Sequence, residues 1–245
     1  MNKLRIFFSV LLLVLSTSTF AQFGKLVDKA KSAITNGNTD GANPSEIANA
    51  LKQALEIGAS KSADLLSASN GFFGNQSVKI FFPLEAQNAE ATLRKLGLNQ
   101  ICDDAILSFN RAAEDAAKTA KPIFVNAIKN MSIKDATNIL MGSKDAATTY
   151  FKNNTSDSLS KVFSPIVDDS IEKVGATKYY GAAVERYNKV PFVTKINPDL
   201  KAYITEMAIE GLFKEIAKEE LKIRENKALR NTELMRKVFA MADGK

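Results

Sequence analysis

The chain contains no histidine, no tryptophan and a single cysteine, Cys102. Without imidazole there is no base for a serine or cysteine triad and no His ligand for zinc. With one thiol there is no internal disulfide, no thiolate metal cluster and no CxxC redox pair. Glycine-rich phosphate loops are missing as well, since neither GxxxxGK[ST] nor GxGxxG after a strand occurs, and no GxSxG nucleophile elbow is present. Beyond the first 21 residues there is no apolar run near the roughly 20 residues that a spanning helix needs. Enzymes built on carboxylates, Lys, Tyr, Ser and Arg are the ones still allowed, and no cofactor is expected.

Charge of one sign is also scarce. The 245 residues carry 33 basic and 27 acidic side chains, a formal net charge of +6. Lys alternates with Asp and Glu, as in "LKIRENKALRNTELMRK", so the pattern describes solvated helix surface rather than a clustered basic face, and no nucleic-acid partner is expected.

What is present begins with a leader. Lys3 and Arg5 precede an apolar run from Ile6 to Leu15, and Thr19-Phe20-Ala21 ends it with small residues at the positions a signal peptidase reads. Residues 1–21 are therefore expected to be a signal peptide cleaved after Ala21. Gln22 follows where a lipoprotein would have cysteine, so the expected address is the periplasm without stable membrane insertion. Residues 22–43 are expected to be a flexible leader ending in "TNGNTDGANP". Asn36, Asn38, Asp40 and Gly41 match part of a calcium loop, but Ile47 stands where the bidentate Glu is required, so no metal is assigned.

Helix punctuation then dominates. "NPSE" supplies a cap, a first-turn proline and a first-turn acid for a helix from Pro44 to about Leu66. Further helices are expected over 84–96, ending at Gly97, and 99–120. Others are placed over 122–131, from Ser132 and Asp135 to Gly142, and over 145–153, 156–163, 165–174 and 177–187. The longest periodic run opens at Asn197-Pro198-Asp199, and its broad apolar stripe suits a central helix; a last helix covers about 232–240. The fold class is all-α, a single-domain irregular bundle of about eight to ten helices over residues 44–241, with a disordered tail expected at 242–245.

One stretch departs from this grammar. "GFFGNQSVKIFFP", residues 71–83, places four phenylalanines, two glycines and a proline in a short span with β-branched content, and reads as an extended segment lying across helices. Alternation in "VKIFF" puts Val78, Ile80 and Phe82 on the core side and Lys79 and Phe81 outward. Phe72, Phe73 and Phe81 are the candidate contact residues for an unknown protein, peptide or lipid partner.

Among polar residues, Asn110 and Glu114 share a helix face beside Arg111, and Glu220 and Arg224 sit one turn apart with Arg230 six residues on. These six are candidates either for pinning helices together or for receiving a polar ligand. The adjacent pairs Asp103/Asp104 and Asp168/Asp169 diverge by about a hundred degrees on a helix and do not converge on a metal unaided. Tyr150, Phe151, Tyr179 and Tyr180 read as core or rim aromatics.

Several segments together, "GFFGNQSVKI", "LRKLGL", "NRAAEDAAKTAKPIFVNAIKNMSIKDATNILMGSKDAATTYFKNNT", "VGATKYY" and "IRENKALRNTELMRKVF", resemble an exported bacterial family, domain-of-unknown-function family 4197. The resemblance runs from about Ser45 to Phe239. It implies a helical, single-domain, secreted or periplasmic protein and supplies no activity. Where that family tends to have a "RIPLP"-like run, this chain has "KIFFP", so a contact surface there would have a different chemistry. The reading is a non-catalytic module that binds a partner or an apolar ligand; the alternative is a carboxylate-dependent hydrolase.

Overall fold

The computed structural model describes residues 41–173, 176–193, 195 and 200–243. The chain divides into two units, Met1–Asn43 and Pro44–Lys245. Residues 1–40 lie outside the described residues; they take in the expected signal peptide, all but the last three residues of the expected flexible leader, and Asn36, Asn38 and Asp40 of the calcium-like run. Among its described residues the second unit contains nine α-helices and no strand. They are α1 (Pro44–Ser67), α2 (Gln87–Lys95), α3 (Asn99–Ala117), α4 (Ala120–Asn130), α5 (Ile133–Met141), α6 (Ala146–Lys173), α7 (Ala176–Asn188), α8 (Lys201–Glu225) and α9 (Glu233–Ala240).

Several helix ends follow from local chemistry. At the end of α2, Gly97 takes φ +78°, its N–H reaches the Arg94 carbonyl and the Leu98 N–H reaches that of Leu93, which is a Schellman motif. Ser132 and Asp135 form a reciprocal capping box at the start of α5. Thr232 caps α9 by accepting from the Met235 N–H. Gly142 ends α5 as expected, in extended backbone at φ −82° rather than in a left-handed cap.

The largest difference from expectation is α6. The three helices placed over 145–153, 156–163 and 165–174 are one helix that runs through Pro165. Ala147, Phe151, Thr155, Leu159, Phe163, Val167 and Ile171 recur every four residues, and all are buried. A continuous stripe of this length packs along α8 in the most extensive helix contact of the fold. That burial, about 1.5 to 3 kcal/mol per large apolar side chain, outweighs the roughly 3 kcal/mol that a proline costs inside a helix. Pro122 also lies within a helix, at the third residue of α4, where the amide it lacks would have had no intrahelical acceptor.

The long helix α8 is the centre of the unit, as its broad stripe predicts, and packs against α1, α3 and α6. Its buried face includes Ile204, Ala208, Leu212 and Ile216 together with Glu215, Glu219 and Glu220. Three buried glutamates on the central helix require partners, and those partners shape the rest of the structure.

Candidate functional site

The segment from Gly71 to Pro83 emerges from α1 through a tight turn. Asn70 has φ +66°, and a Cβ on Gly71 would lie 2.4 Å from the Leu65 carbonyl oxygen, so the first glycine is a steric requirement. Helix α3 then holds the segment at two points. Glu114 Oε1 accepts from the backbone N–H groups of Phe72 and Phe73, both at 3.1 Å, while Oε2 accepts from Arg111 at 2.6 Å. Asn110 treats Ile80 as a strand partner would: its Oδ1 accepts from the Ile80 N–H and its Nδ2 donates to the Ile80 carbonyl, each at 2.8 Å. From α8, the Tyr203 hydroxyl donates to the Phe81 carbonyl at 3.1 Å, and Glu215 accepts from Asn75 at 2.9 Å.

Held in this way, the segment sorts its side chains. Phe72 is fully buried against α8, where a Cβ on Gly211 would sit 2.5 Å from its ring. Phe72 is thus a core residue rather than an accessible contact. Val78, Ile80 and Phe82 are buried, and Phe82 joins Phe109 and Tyr180 in a triad with centroids 5.5 to 5.6 Å apart. Burial pushes the Tyr180 phenol up to about 12.

Phe81 points the other way and is 44 % exposed. Beside it Phe73 is half-buried, and the Lys79 ammonium stands 4.0 Å from the Phe73 ring and 5.6 Å from the Phe81 ring. Arg111 stacks on Phe73 at 6.0 Å. A groove of about 190 Å³ runs along this edge, with Lys79, Phe81, Tyr203, Met207 and Lys214 in its lining.

The second polar group, Glu220, Arg224 and Arg230, shares no hydrogen bond with the first and serves helix ends. Glu220 accepts from the backbone N–H groups of Ala147 and Thr148 at 2.9 and 2.8 Å and from the Thr148 hydroxyl at 2.8 Å, placing a carboxylate on the positive end of α6. Arg224 pairs with Glu220 at 2.9 Å and donates to the Ile139 and Leu140 carbonyls, placing a cation on the negative end of α5. Arg230 is buried, donates to the Ile223 and Arg224 carbonyls at the end of α8, and pairs with Asp243 at 2.7 Å. The Arg230 guanidinium holds the Asp243 carboxyl down to about 2.

All six polar candidates therefore have backbone partners or neighbours that do. None of the named acid pairs gathers: Asp103 bonds Arg94, Asp104 bonds Gln100 and Asp168 bonds Lys201. No cluster of three His, Cys, Asp or Glu able to hold a metal occurs among the described residues. Where carboxyl groups are displaced from their ordinary range, at Asp115, Asp145, Glu185, Glu215, Glu219 and Asp243, the direction is down. A general acid needs the opposite shift. Cys102 is buried and burial raises its thiol, which favours the unreactive protonated form.

A small apolar pocket lined by α1, α6, α8 and Phe239 measures about 20 Å³, room for about one water. It is too small for an apolar ligand.

A family profile described as Protein of unknown function (DUF4197) matches residues 41–240. The chain belongs to this family. No curated protein and no solved structure matches the chain. The family's matched span takes in the whole Gly71 to Pro83 segment, both of its clamps on α3 and all of α8. Sequence reasoning missed Gly211 and Tyr203 as parts of the clamp. Gly211 did carry a signal, because glycine inside a long helix costs about 1 kcal/mol relative to alanine and asks for a reason; Tyr203 carried none. Among the described residues, no helix of this family member is long and apolar enough to cross a membrane.

Proposed function

We propose that the protein is an exported, non-catalytic binding module that captures an extended peptide segment of another protein along the Phe73, Lys79 and Phe81 edge. The observation that carries this is the exposure of Phe81 between Ile80 and Phe82, which are at most 2 % exposed, on a backbone fixed from α3 and α8. An aromatic side chain held outward on a rigid support loses little entropy on binding, which is what a contact anchor needs. The Phe81 N–H has no partner among the described residues, and neither does the Lys79 carbonyl. With the Phe81 carbonyl bonded to Tyr203 and the Lys79 N–H to the Asn75 carbonyl, these two groups are the ones left for the backbone of a bound peptide. Lys79 is held by two rings and, among the described residues, by no carboxylate, so the favoured segment joins an acidic residue to apolar ones.

Selection from a displayed peptide library tests this. Enriched sequences should combine Asp or Glu with an aromatic or branched neighbour, and Phe81→Ala and Lys79→Glu should each weaken a selected peptide by about tenfold or more. Neither variant should lose more than about 1 kcal/mol of stability. A peptide that binds the Lys79→Glu protein equally well removes the acidic specificity and with it the proposal.

Export is part of the same reading and rests on the charged, apolar and small-residue sections of the first 21 residues. The protein recovered from the periplasmic fraction should begin at Gln22 or its cyclised form by N-terminal mass spectrometry. Recovery of chains that retain Met1 would exclude cleavage.

A further inference from the structure

A second surface feature is unrelated to the phenylalanine edge. Where α4, α5 and α6 meet, a cleft of about 580 Å³ opens, within the roughly 300 to 1,000 Å³ typical of small-molecule sites. Two neutral stripes form its walls. Asn126 and Asn130 are one turn apart on α4; Tyr150, Asn154 and Ser158 follow at four-residue spacing on α6. Pro122, Ile123 and Ala127 add apolar surface, and Asp135 contributes the one ionisable carboxyl of the lining.

These polar groups are incompletely used by the protein. The Tyr150 hydroxyl is 3.5 Å from the Ala127 carbonyl, and the Asn126 and Asn130 amides are 3.4 Å apart, both longer than an ordinary hydrogen bond. Asn154 donates Nδ2 to the Tyr150 carbonyl at 2.8 Å, and its Oδ1 has no partner among the described residues. The Ser158 hydroxyl has none either. Asp135, by contrast, is committed through Oδ2 to the Ser132 N–H and hydroxyl. Burial first, and Asp135 second, raise the Tyr150 phenol, so it remains a protonated donor at neutral pH.

The composition is unusual for this chain. Lys with Asp or Glu covers many of its exposed helix faces, in pairs such as Lys214 with Glu210 and Lys189 with Glu185. Asn, Ser and Tyr are weaker helix formers than Lys or Glu by a few tenths of a kcal/mol each. The one short bond in the two stripes, Asn154 Nδ2 to the Tyr150 carbonyl, stays within α6 and spans one turn; no bond of ordinary length ties either stripe to another helix among the described residues.

We infer that the cleft between α4 and α6 is a binding site for a neutral sugar ring. Amides and hydroxyls that each donate and accept match vicinal hydroxyl groups, which do the same. The Tyr150 ring and the Ile123, Ala127 and Pro122 surface suit the C–H face of a pyranose. No lysine or arginine lines the cleft to receive a phosphate or carboxylate, and a single committed carboxylate offers little to a cation. Its polar walls do not suit an acyl chain.

Isotope-edited NMR titration of the protein with neutral oligosaccharides tests the assignment. One arm uses an N-acetylglucosamine tetramer and another a glucose tetramer, so that an amino-sugar polymer and a glucan are told apart; a sugar phosphate is the charged comparison. Saturable shifts are expected in α4 and α6 for at least one neutral sugar. Asn154→Ala, at an exposed position, should weaken binding about tenfold or more while Phe81→Ala leaves it unchanged. Tyr150→Phe should weaken it less than Tyr150→Ala, because the ring is kept. The assignment is overturned if no neutral sugar gives saturable shifts, if the shifts map elsewhere, if the sugar phosphate binds as well as the neutral sugars, or if an Asn126→Ala/Asn154→Ala double variant binds like the parent.

Discussion

Glu220→Ala is expected to destabilise the protein by about 3 to 5 kcal/mol, because truncating one partner of a buried ion pair leaves the other charge uncompensated. Glu220 is 7 % exposed, and the Arg224 side chain is only 12 % exposed. The same carboxylate satisfies two amides in the first turn of α6, so its loss also uncaps that helix. Glu220→Gln keeps a side-chain oxygen for the amides and should lose less. Glu225→Ala is the control: its partner Lys144 and Glu225 itself are both more than half exposed, and such pairs contribute about 1 kcal/mol at most. Urea denaturation of the three variants measures this order. Equal losses for Glu220→Ala and Glu225→Ala would show that the buried cap is not what joins α5, α6 and α8.

The second large effect compares adjacent phenylalanines. Phe82→Ala should cost about 3 to 5 kcal/mol, since it opens a cavity beside Phe109 and Tyr180. Phe81→Ala removes a ring that is nearly half exposed and should cost about 1 kcal/mol or less. The comparison separates support from contact within one dipeptide. Thermal or chemical denaturation of both variants side by side is sufficient, and equal losses would mean that Phe81 is structural and the edge has no outward anchor.

The features legible in the sequence were those with short-range causes. Gly97, the Ser132 and Asp135 box and Thr232 mark helix ends because a cap is completed within a few residues. The alternation of "VKIFF" assigned its faces correctly because neighbouring side chains in extended backbone must diverge. Shared helix faces likewise placed Asn110 with Glu114, and Glu220 with Arg224.

Tertiary structure decided what those faces meet. Pro165 reads as a helix boundary by local propensity, yet α6 continues because the stripe from Ala147 to Ile171 is buried against α8, a partner more than thirty residues away in sequence from most of it. By sequence Asn110 and Glu114 are candidates for pinning elements together or for receiving a ligand; their partners are the backbone groups of Ile80, Phe72 and Phe73, reached only when α3 folds beside the segment. The neutral stripes of α4 and α6 are unremarkable as separate spacings and form a cleft only because the two helices pack together. Sequence determined the helical grammar and the sidedness of the extended segment, since both depend on covalent geometry and nearest neighbours. Which polar groups became clamps and which face solvent depended on long-range packing, because a buried donor or acceptor must find its partner wherever the folded chain supplies one.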